Sequence, residues 1–271
     1  MIGFALSNKT FCGFQELIFK AAGISLADSK RTLVAGRLAK RVRALNLQDL
    51  TAYYRYVSGA EGVRSGELQH CIDFLTTNET YFFRETKHFP FLQETVFCHF
   101  ARGRPLRLWS AASSSGEEAF TLAMLLADQL GLENPWHILG TDISSRILLS
   151  AHQAIYSEHR ARGVPKAYWR RYLMRGTDQH QGFVSVVPEL REHVSFAPYN
   201  LVTSPRKQEK FDVIFCRNVL IYFNEETKLG VVRRLCENLQ PKGILVTGHA
   251  ESLHGMVSSL TSLRPSVYQL N

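Results

Sequence analysis

The stretch LRLWSAASSSGEEAFTLAMLL, residues 106–126, decides the fold class of this chain. Its short apolar run, with Leu106, Leu108 and Trp109, predicts a buried strand. A turn of only Ala, Ser and Gly (111–116) follows, and then an apolar pattern at helical spacing. A strand, a tight turn and a helix in this order are typical of the first unit of a nucleotide-binding α/β sheet. Small residues let a ligand approach the backbone, and the helix N-terminus offers unpaired N–H groups.

This turn is weak evidence when taken alone. Gly116 is its one glycine, so the pattern is not the GxGxxG fingerprint of dinucleotide-binding folds. An ordinary strand-to-helix connection therefore remains an alternative, and the rest of the chain has to decide between the two.

Strands and helices continue to alternate after this unit, which predicts an α/β fold. Residues 156–192 interrupt the alternation with a predicted short helix and a small antiparallel insertion, which includes the alternating run 182–187. The other predicted strands are 137–142, 194–199, 211–216 and 243–249. One helix is predicted at 145–154, and another follows strand 211–216 and ends at residue 239. An antiparallel hairpin is predicted within 253–270.

The sequence predicts a separate helical domain in residues 1–75 and the α/β domain in residues 91–271. A linker, residues 76–90, connects the two. Phe14, Leu17, Ile18 and Ala21 share one face of the first helix, and Gly23 follows as its stop. The linker shows no clean period and carries a run of aromatic residues. Further helices are predicted from residue 26, at 47–58, at 64–75 and at 89–102.

The positive charge of the chain is concentrated in the helical domain. The net charge is +8, and up to residue 72 the chain has ten Lys and Arg against five Asp and Glu. Arg37, Lys40 and Arg41 stand at i, i+3 and i+4, so we expect them to project together and bind an acidic substrate. A solvated helix face is the alternative interpretation.

Composition and motifs exclude several classes of protein. Five scattered cysteines without a CxxC pair indicate a reducing cytoplasm, and neither a secretory leader nor a membrane span is predicted. The chain has no GxxxxGK[ST] motif for ATP and no GxSxG elbow of hydrolases. Ten histidines show no metal-ligand spacing, so no metal is expected. His88, His249 and His254 could titrate usefully, but isolated histidines are more often structural.

Polar residues follow four of the predicted strands. Ligands of open α/β sheets bind outside the carboxyl ends of the strands, so these residues form a candidate cofactor site. Taken alone, each of these polar groups has a simpler structural explanation, such as a turn-forming residue, a helix cap or a surface ion pair. The four groups are residues 110–118, Asp142, Asn200 with Leu201, and Arg217 with Asn218.

At these positions the chain resembles the chemotaxis receptor methyltransferases, the CheR family, over essentially its whole length. The motifs that carry the resemblance are NETYFFRE (78–85), LWSAASSSGEEAFTLAM (108–124), TDIS (141–144), LMRG (173–176), YNL (199–201), FDVIFCRNVLIYF (211–223) and LQPKGILVTGHAE (239–251). The departures, Ala119 and the serines at 113–115, are small residues that leave cofactor binding intact.

The resemblance implies a Rossmann-like sheet that binds S-adenosylmethionine and releases S-adenosylhomocysteine. It implies a protein-glutamate O-methyltransferase that esterifies glutamates on the helical cytoplasmic domains of chemoreceptors. Arg84 and Tyr222 are the candidates for positioning the acceptor carboxylate, within an aromatic lining of Tyr81, Phe82, Phe83 and Tyr222. The implied cofactor residues are Asn78, Thr80 and Arg84 as a cover, Glu118 and Asp142 for amino-acid or ribose groups, and Asn200, Leu201, Arg217 and Asn218 around the adenosine.

The resemblance also implies the partners. Glutamate-bearing receptor helices match the basic face of the helical domain, and the insertion corresponds to a β-subdomain that in some members docks on a C-terminal receptor tether. We expect a cytoplasmic monomer that is recruited to receptor arrays without inserting into the membrane.

Two alternatives remain. A nucleic-acid methyltransferase is supported only by the basic charge, because CRNVLIY stands where amino-methylating DNA enzymes carry [DNS]PP[YFW]. The second alternative is a non-catalytic signalling protein that has kept the cofactor fold.

Overall fold

A mostly parallel, seven-stranded sheet forms the centre of the second half of the protein. The computed structural model describes residues 4–97, 104–206 and 209–271. The described strands are β1 (Leu106–Ala111), β2 (Trp136–Asp142), β3 (Ile155–Ser157), β4 (Leu173–Arg175), β5 (Phe183–Val186), β6 (Val194–Pro198), β7 (Phe211–Cys216), β8 (Leu239–Thr247), β9 (Leu260–Arg264) and β10 (Val267–Leu270).

Helices precede the sheet and connect its strands. In chain order they are α1 (Asn8–Ala22), α2 (Arg31–Ala44), α3 (Leu50–Ser58), α4 (Ala60–Arg64), α5 (Glu67–Leu75), α6 (His88–Phe91, continued by a π-helical turn at Leu92–Phe97), α7 (Glu117–Leu130), α8 (Ser145–Gln153), α9 (Lys166–Tyr172), α10 (Pro188–Arg191) and α11 (Glu225–Glu237).

The strand order β6–β2–β1–β7–β8–β10–β9 confirms the predicted α/β class. Strands β6, β2, β1, β7 and β8 pair in parallel, while β10 runs antiparallel to both of its neighbours. The central strands are buried on both faces, as parallel strands covered by crossover helices are. Their carboxyl ends therefore meet at one edge of the sheet, where the turn after β1 also lies.

The insertion forms a second, three-stranded antiparallel sheet in the order β3–β5–β4, as predicted. It is fixed to the linker as well as to the main sheet. The Phe82 N–H donates to the Arg160 carbonyl at 3.4 Å. A Cβ on Gly163 would lie 2.6 Å from the Phe82 carbonyl oxygen, so only glycine fits where the two backbones meet.

The N-terminal helices match the predictions in type and differ at their ends. Helix α2 begins at Arg31, five residues later than predicted, after a 3₁₀ turn over Asp28–Lys30. Helix α3 begins only after Asp49, whose carboxylate accepts from the Ala52 N–H at 2.7 Å as an N-cap. The helix predicted at 64–75 is α5, which begins only at Glu67 because Gly66 adopts a left-handed φ of 79°, and α4 before it was not predicted.

Three further predictions are changed or lie outside the structure. The end of the helix predicted at 89–102 falls outside the described residues. The last parallel strand, β8, begins four residues earlier than predicted, at Leu239. The C-terminal hairpin is shorter than predicted, since its first strand begins only at Leu260.

The N-terminal helices dock on the carboxyl edge of the sheet. The Asn200 side-chain amide donates to the Ala21 carbonyl at 2.7 Å, and Ile24 forms an isolated bridge with Phe223. Gly23 ends α1 with φ of 71°, and a Cβ there would meet Val202 at 2.6 Å. Glycine is therefore required both by the left-handed turn and by the close approach of the two regions.

Four of the five cysteines lie among the described residues, and all four are free. Cys98 lies outside the described ranges. None of the helices in the described part of the chain combines the length and apolar character that a bilayer-spanning segment requires.

The predicted cationic set of Arg37, Lys40 and Arg41 does not project as one face. Arg41 forms a two-pronged ion pair with the buried Glu67, donating at 2.8 and 2.6 Å, and the Tyr53 hydroxyl donates to the same carboxylate. This pair lowers the pKa of Glu67 overall, although burial acts in the opposite direction. Arg41 thus stabilises the helical core, whereas Lys40 is exposed.

We predict that Arg41→Ala lowers the free energy of unfolding by about 3 kcal/mol, because it leaves Glu67 as an uncompensated buried charge. Lys40→Ala, on the same helix but exposed, is expected to change stability by less than about 0.5 kcal/mol. Urea unfolding followed by circular dichroism measures both. Similar stability of the two variants would contradict a structural role for Arg41.

Candidate functional site

A cavity of about 600 Å³ lies at the carboxyl edge of the sheet, beneath the N-terminal helices. Its size is typical of small-molecule sites. The cavity brings together every residue predicted for the cofactor, namely Asn78, Thr80, Arg84, Glu118, Asp142, Asn200, Leu201, Arg217 and Asn218, together with Tyr222 and Arg37. Lys40 and Arg41 do not line it.

The turn after β1 is held by Asp142 at the end of β2. The carboxylate accepts from the backbone N–H groups of Ser114 and Ser144, each at 2.9 Å. Ala112 and Ser114 both adopt positive φ, so the turn winds back along the sheet edge. Burial raises the pKa of Asp142 above its usual range, and the two backbone hydrogen bonds oppose this rise.

Gly116 has a packing role behind this turn. Its φ is 93°, and a Cβ would lie 2.9 Å from the Phe196 ring and 3.0 Å from the Tyr156 hydroxyl. It therefore faces the side chains packed behind the turn, while Ala112, Ser113 and Ser114 line the cavity.

Arg217 is the centre of a buried polar cluster at the end of β7. Its side chain is 2 % exposed and pairs with Glu118 at 3.1 Å and with Glu85 at 3.2 Å. It also donates to the Arg84 carbonyl. One guanidinium therefore joins the first turn of α7 to the linker that covers the cavity.

The carboxylates around Arg217 differ in their electrostatics. Burial raises the pKa of Glu118, although Arg217 and a 2.7 Å hydrogen bond from Ser110 oppose the rise. Burial also acts to raise the pKa of Glu85, but the hydrogen bond from Asn218 and the charge of Arg217 lower it overall.

Glu85 is a residue that the sequence reasoning missed. It accepts from the Arg217 and Asn218 side chains and from the His249 N–H. Its position directly after Arg84, inside the linker motif, was the only available indication. It holds the linker against the sheet edge.

The linker meets the turn after β1 directly. The Ser114 hydroxyl donates to the Asn78 carbonyl at 3.2 Å, and the Arg84 guanidinium donates to the Glu79 carbonyl at 2.8 Å. Arg84 also lies over the Tyr81 ring at 5.9 Å. Asn78, Thr80 and Arg84 thus form one wall of the cavity.

The predicted aromatic lining is corrected in part. Tyr81 and Tyr222 line the cavity, but Phe82 and Phe83 do not. Phe82 is fully buried against the Tyr156 ring, and Phe83 stacks on Tyr168. Their rings point away from the cavity and pack against Tyr156 and Tyr168. Both residues therefore attach the linker to the part of the core next to the insertion. Tyr199, Phe89 and Phe223 are aromatic lining residues that were not predicted.

Asn200 has structural partners in addition to its place in the cavity wall. Its side-chain oxygen accepts from the Val202 and Thr203 N–H groups, while its amide donates to Ala21. Leu201 is buried beside it and supplies apolar lining.

Helix α2 and the turn before it contribute a wall of the cavity that the sequence reasoning did not predict as lining. Lys30, Leu33 and Arg37 lie along it. Arg37 donates to the Leu75 and Thr76 carbonyls, each at 3.0 Å, which fixes the start of the linker.

The insertion contacts the same turn from outside the cavity. Arg160 donates to the Ser115 hydroxyl at 2.7 Å and to the fully buried Glu117 at 2.6 Å. Burial raises the pKa of Glu117, and Arg160 opposes the rise. This ion pair compensates an acidic group at the start of α7.

Comparisons with known proteins assign the chain to a family. The family model described as "CheR methyltransferase, SAM binding domain" matches residues 78–268, and "CheR methyltransferase, all-alpha domain" matches residues 9–76. The chain belongs to the CheR methyltransferase family. The resemblance stated from the motifs is thereby confirmed, and so is a methyltransferase domain that binds S-adenosylmethionine.

CheR relatives cover nearly the whole chain. The chemotaxis protein methyltransferase of Escherichia coli is 40% identical over 269 residues, covering 98% of this chain and 92% of that protein. The Salmonella typhimurium protein of the same name is 41% identical over 270 residues, with the same shares. Chemotaxis protein methyltransferase 2 of Pseudomonas aeruginosa is 36% identical over 267 residues, covering 98% and 94%.

The cavity of this CheR protein fits S-adenosylmethionine in chemistry as well as in size. Two carboxylates of the cavity wall, the buried Asp142 and the partly exposed Glu118, are suited to accept from hydroxyl and ammonium groups. The Arg84 guanidinium suits a carboxylate, and Leu201 and Ile143 provide apolar surface for a base. The turn after β1 needs no glycine-rich cradle, since this cofactor carries no diphosphate.

We predict that Asp142→Ala lowers affinity for S-adenosylhomocysteine by at least about tenfold. The variant removes both an acceptor in the cavity and the group that orders Ser114. Isothermal titration calorimetry measures the affinity, with circular dichroism as the control for folding. Unchanged affinity in a folded variant would remove Asp142 from the cofactor site.

Proposed function

We propose that this protein transfers the methyl group of S-adenosylmethionine to glutamate side chains on the cytoplasmic helices of chemoreceptors. The observation that carries the proposal is a single cavity whose walls come from the cofactor edge of the sheet and from a cationic side of α2. The names of the relatives, chemotaxis protein methyltransferases, support the same substrate class.

The cationic side of α2 is the proposed docking surface for the acceptor helix. Lys30, Leu33, Arg37 and Lys40 follow one another at helical spacing, and the first three line the cavity. Lys30 and Lys40 are exposed, and Leu33 is 37% exposed. Acidic receptor helices would be steered by the lysines and would contact Leu33.

The chemistry requires little acid–base help from the protein. When bound, S-adenosylmethionine supplies an electrophilic methyl group on a positively charged sulfur. A glutamate with a pKa of about 4.3 is already ionised at pH 7, so no strong general base is needed. The absence of a catalytic dyad from the sequence motifs agrees with this reaction. The task of the protein is to align the acceptor oxygen and to exclude water.

Arg84 and Tyr222 are proposed to position the acceptor carboxylate. Both line the cavity between the linker and the edge of the sheet. Arg84 offers a planar fork of N–H donors, which suits a carboxylate, and the Tyr222 hydroxyl can donate to the same group. Opposite charges disappear as the methyl group moves, so the aromatic rings of Tyr81 and Tyr222 suit the reacting region better than further polar groups would.

The insertion is proposed to bind a C-terminal receptor tether, as in some members of the family. Ile155 and Met174 stand on either side of Ser185 in the small sheet, and Phe183 lies two residues from Ser185. This register places the three apolar side chains on one face. Their exposed fractions are 52%, 44% and 47%, which leaves an apolar surface available for a peptide.

We predict that the protein transfers tritium from methyl-labelled S-adenosylmethionine to receptor cytoplasmic fragments, and that alkali releases the label as methanol. Alkali-labile release is specific for an ester. Receptor fragments with glutamine in place of the methylated glutamates serve as the acceptor control. Absence of label would favour a non-catalytic signalling protein, and label on duplex nucleic acid would favour the other alternative.

We predict that the double variant Lys30→Glu, Lys40→Glu reduces kcat/KM for receptor fragments by at least about tenfold at low salt, because reversed charges repel the acidic acceptor. Affinity for S-adenosylhomocysteine is the second readout, and it is expected to fall much less than kcat/KM because neither lysine belongs to the predicted cofactor set. The matched control is Lys9→Glu, Lys20→Glu on α1, which changes the net charge equally. Equal loss in both double variants would refute docking on α2.

A further inference from the structure

A cluster of three potential metal ligands lies behind Arg217, outside the residues that line the cavity. Glu85 comes from the linker, His88 begins α6, and His249 follows β8. The ligand atoms they offer all lie within 4.8 Å of one another. Because 161 residues separate His88 from His249 in the sequence, no short spacing could reveal this cluster.

His88 is the unusual member of the cluster. It is 3% exposed, and neither ring nitrogen has a hydrogen-bond partner among the described residues. Its Nδ1 lies 4.0 Å from the Glu85 carboxylate, and its ring centroid lies 4.7 Å from that of His249. A buried polar group without a partner destabilises a fold by about 1–3 kcal/mol. A cation bound between His88, Glu85 and His249 would give the imidazole the partner that it lacks.

We propose that Glu85, His88 and His249 bind a divalent transition-metal ion, with Zn²⁺ as the best match. Two histidines and one glutamate form a ligand set that zinc uses in proteins. In a tetrahedral site with bonds of about 2.1 Å, the ligand atoms lie about 3.4 Å from one another. The three ligand atoms, which lie within 4.8 Å of one another, must therefore approach on binding. The exposed side chain of His249 can rotate toward the other two, and Glu85 and His88, now 4.0 Å apart, must also move closer.

The surroundings of Glu85 support this assignment. The carboxylate accepts three hydrogen bonds, from the Asn218 amide at 3.0 Å and from Arg217 and the His249 backbone N–H at 3.2 Å each, which fix its orientation as outer partners of metal ligands do. An ionised carboxylate has about four acceptor positions, so one remains for a cation. A water molecule on the exposed side would complete a tetrahedron.

Such an ion would have a structural role and would take no part in methyl transfer. It would join the linker and α6 to the segment after β8, next to the Arg217 cluster. We therefore expect it to stabilise the folded chain by binding the native state alone.

The experiment is a Zn²⁺ titration of the full-length chain after chelator treatment, in competition with a chromophoric chelator. We expect one tight site per chain in the wild type and an affinity at least about tenfold lower in His249→Ala, an exposed position expected to tolerate substitution. The matched control is His254→Ala, a second exposed histidine of the same segment. It is expected to bind Zn²⁺ as the wild type does.

Two further measurements examine the same site. Co²⁺ should give the visible absorption of tetrahedral coordination in the wild type and lose it in His249→Ala. Zn²⁺ should raise the melting temperature of the wild type more than that of His249→Ala. Equal Zn²⁺ affinity of the wild type and His249→Ala, an equal loss in His254→Ala, or a Co²⁺ spectrum like that of the hydrated ion would each overturn the proposal.

Discussion

The burial of one guanidinium, that of Arg217, is the constraint on which the site depends. A charge with 2 % exposure is tolerable only beside opposite charges, and here Glu118 and Glu85 provide them. Glu118 belongs to the first helix of the sheet and Glu85 to the linker. The need to neutralise Arg217 therefore fixes the distance between these two elements, and with it the width of the cavity. The walls of the cavity are thus positioned by the need to neutralise a buried charge that is itself part of the lining.

The same cavity is closed from the other side by the N-terminal helices. Asn200 binds the end of α1, Arg37 binds the start of the linker, and Gly23 permits the close contact between the two regions. Because these contacts are made at the cavity wall, the helical region contributes directly to the lining of the cavity. The proposed acceptor surface on α2 and the cofactor edge of the sheet thus share one opening.

Much of the fold follows from local patterns, and much of the site follows from strand ends. Short apolar runs mark the parallel strands, because each is buried on both faces, and the edge residues Asp142 and Asn218 can be read as their polar ends. Helix boundaries were less predictable, since Asp49 and Gly66 act through capping and backbone conformation rather than through hydrophobic periodicity. Arg41 was misread because nothing in the helix pattern shows that its partner is Glu67, which lies on another helix. The same limit applies to Glu85 and Phe82, whose roles depend on contacts with distant segments.

The ion pair between Arg160 and Glu117 has a consequence for exchanging parts between relatives. Glu117 is a fully buried acid at the foot of α7, and its counter-charge is supplied by the insertion. A chimaera that receives a foreign insertion must also receive an arginine at the equivalent point, or carry a neutral residue in place of Glu117. Otherwise Glu117 would remain a buried carboxylate without a counter-charge, beneath the turn after β1. The insertion and the turn therefore have to be exchanged together, although they are separate segments of the sequence.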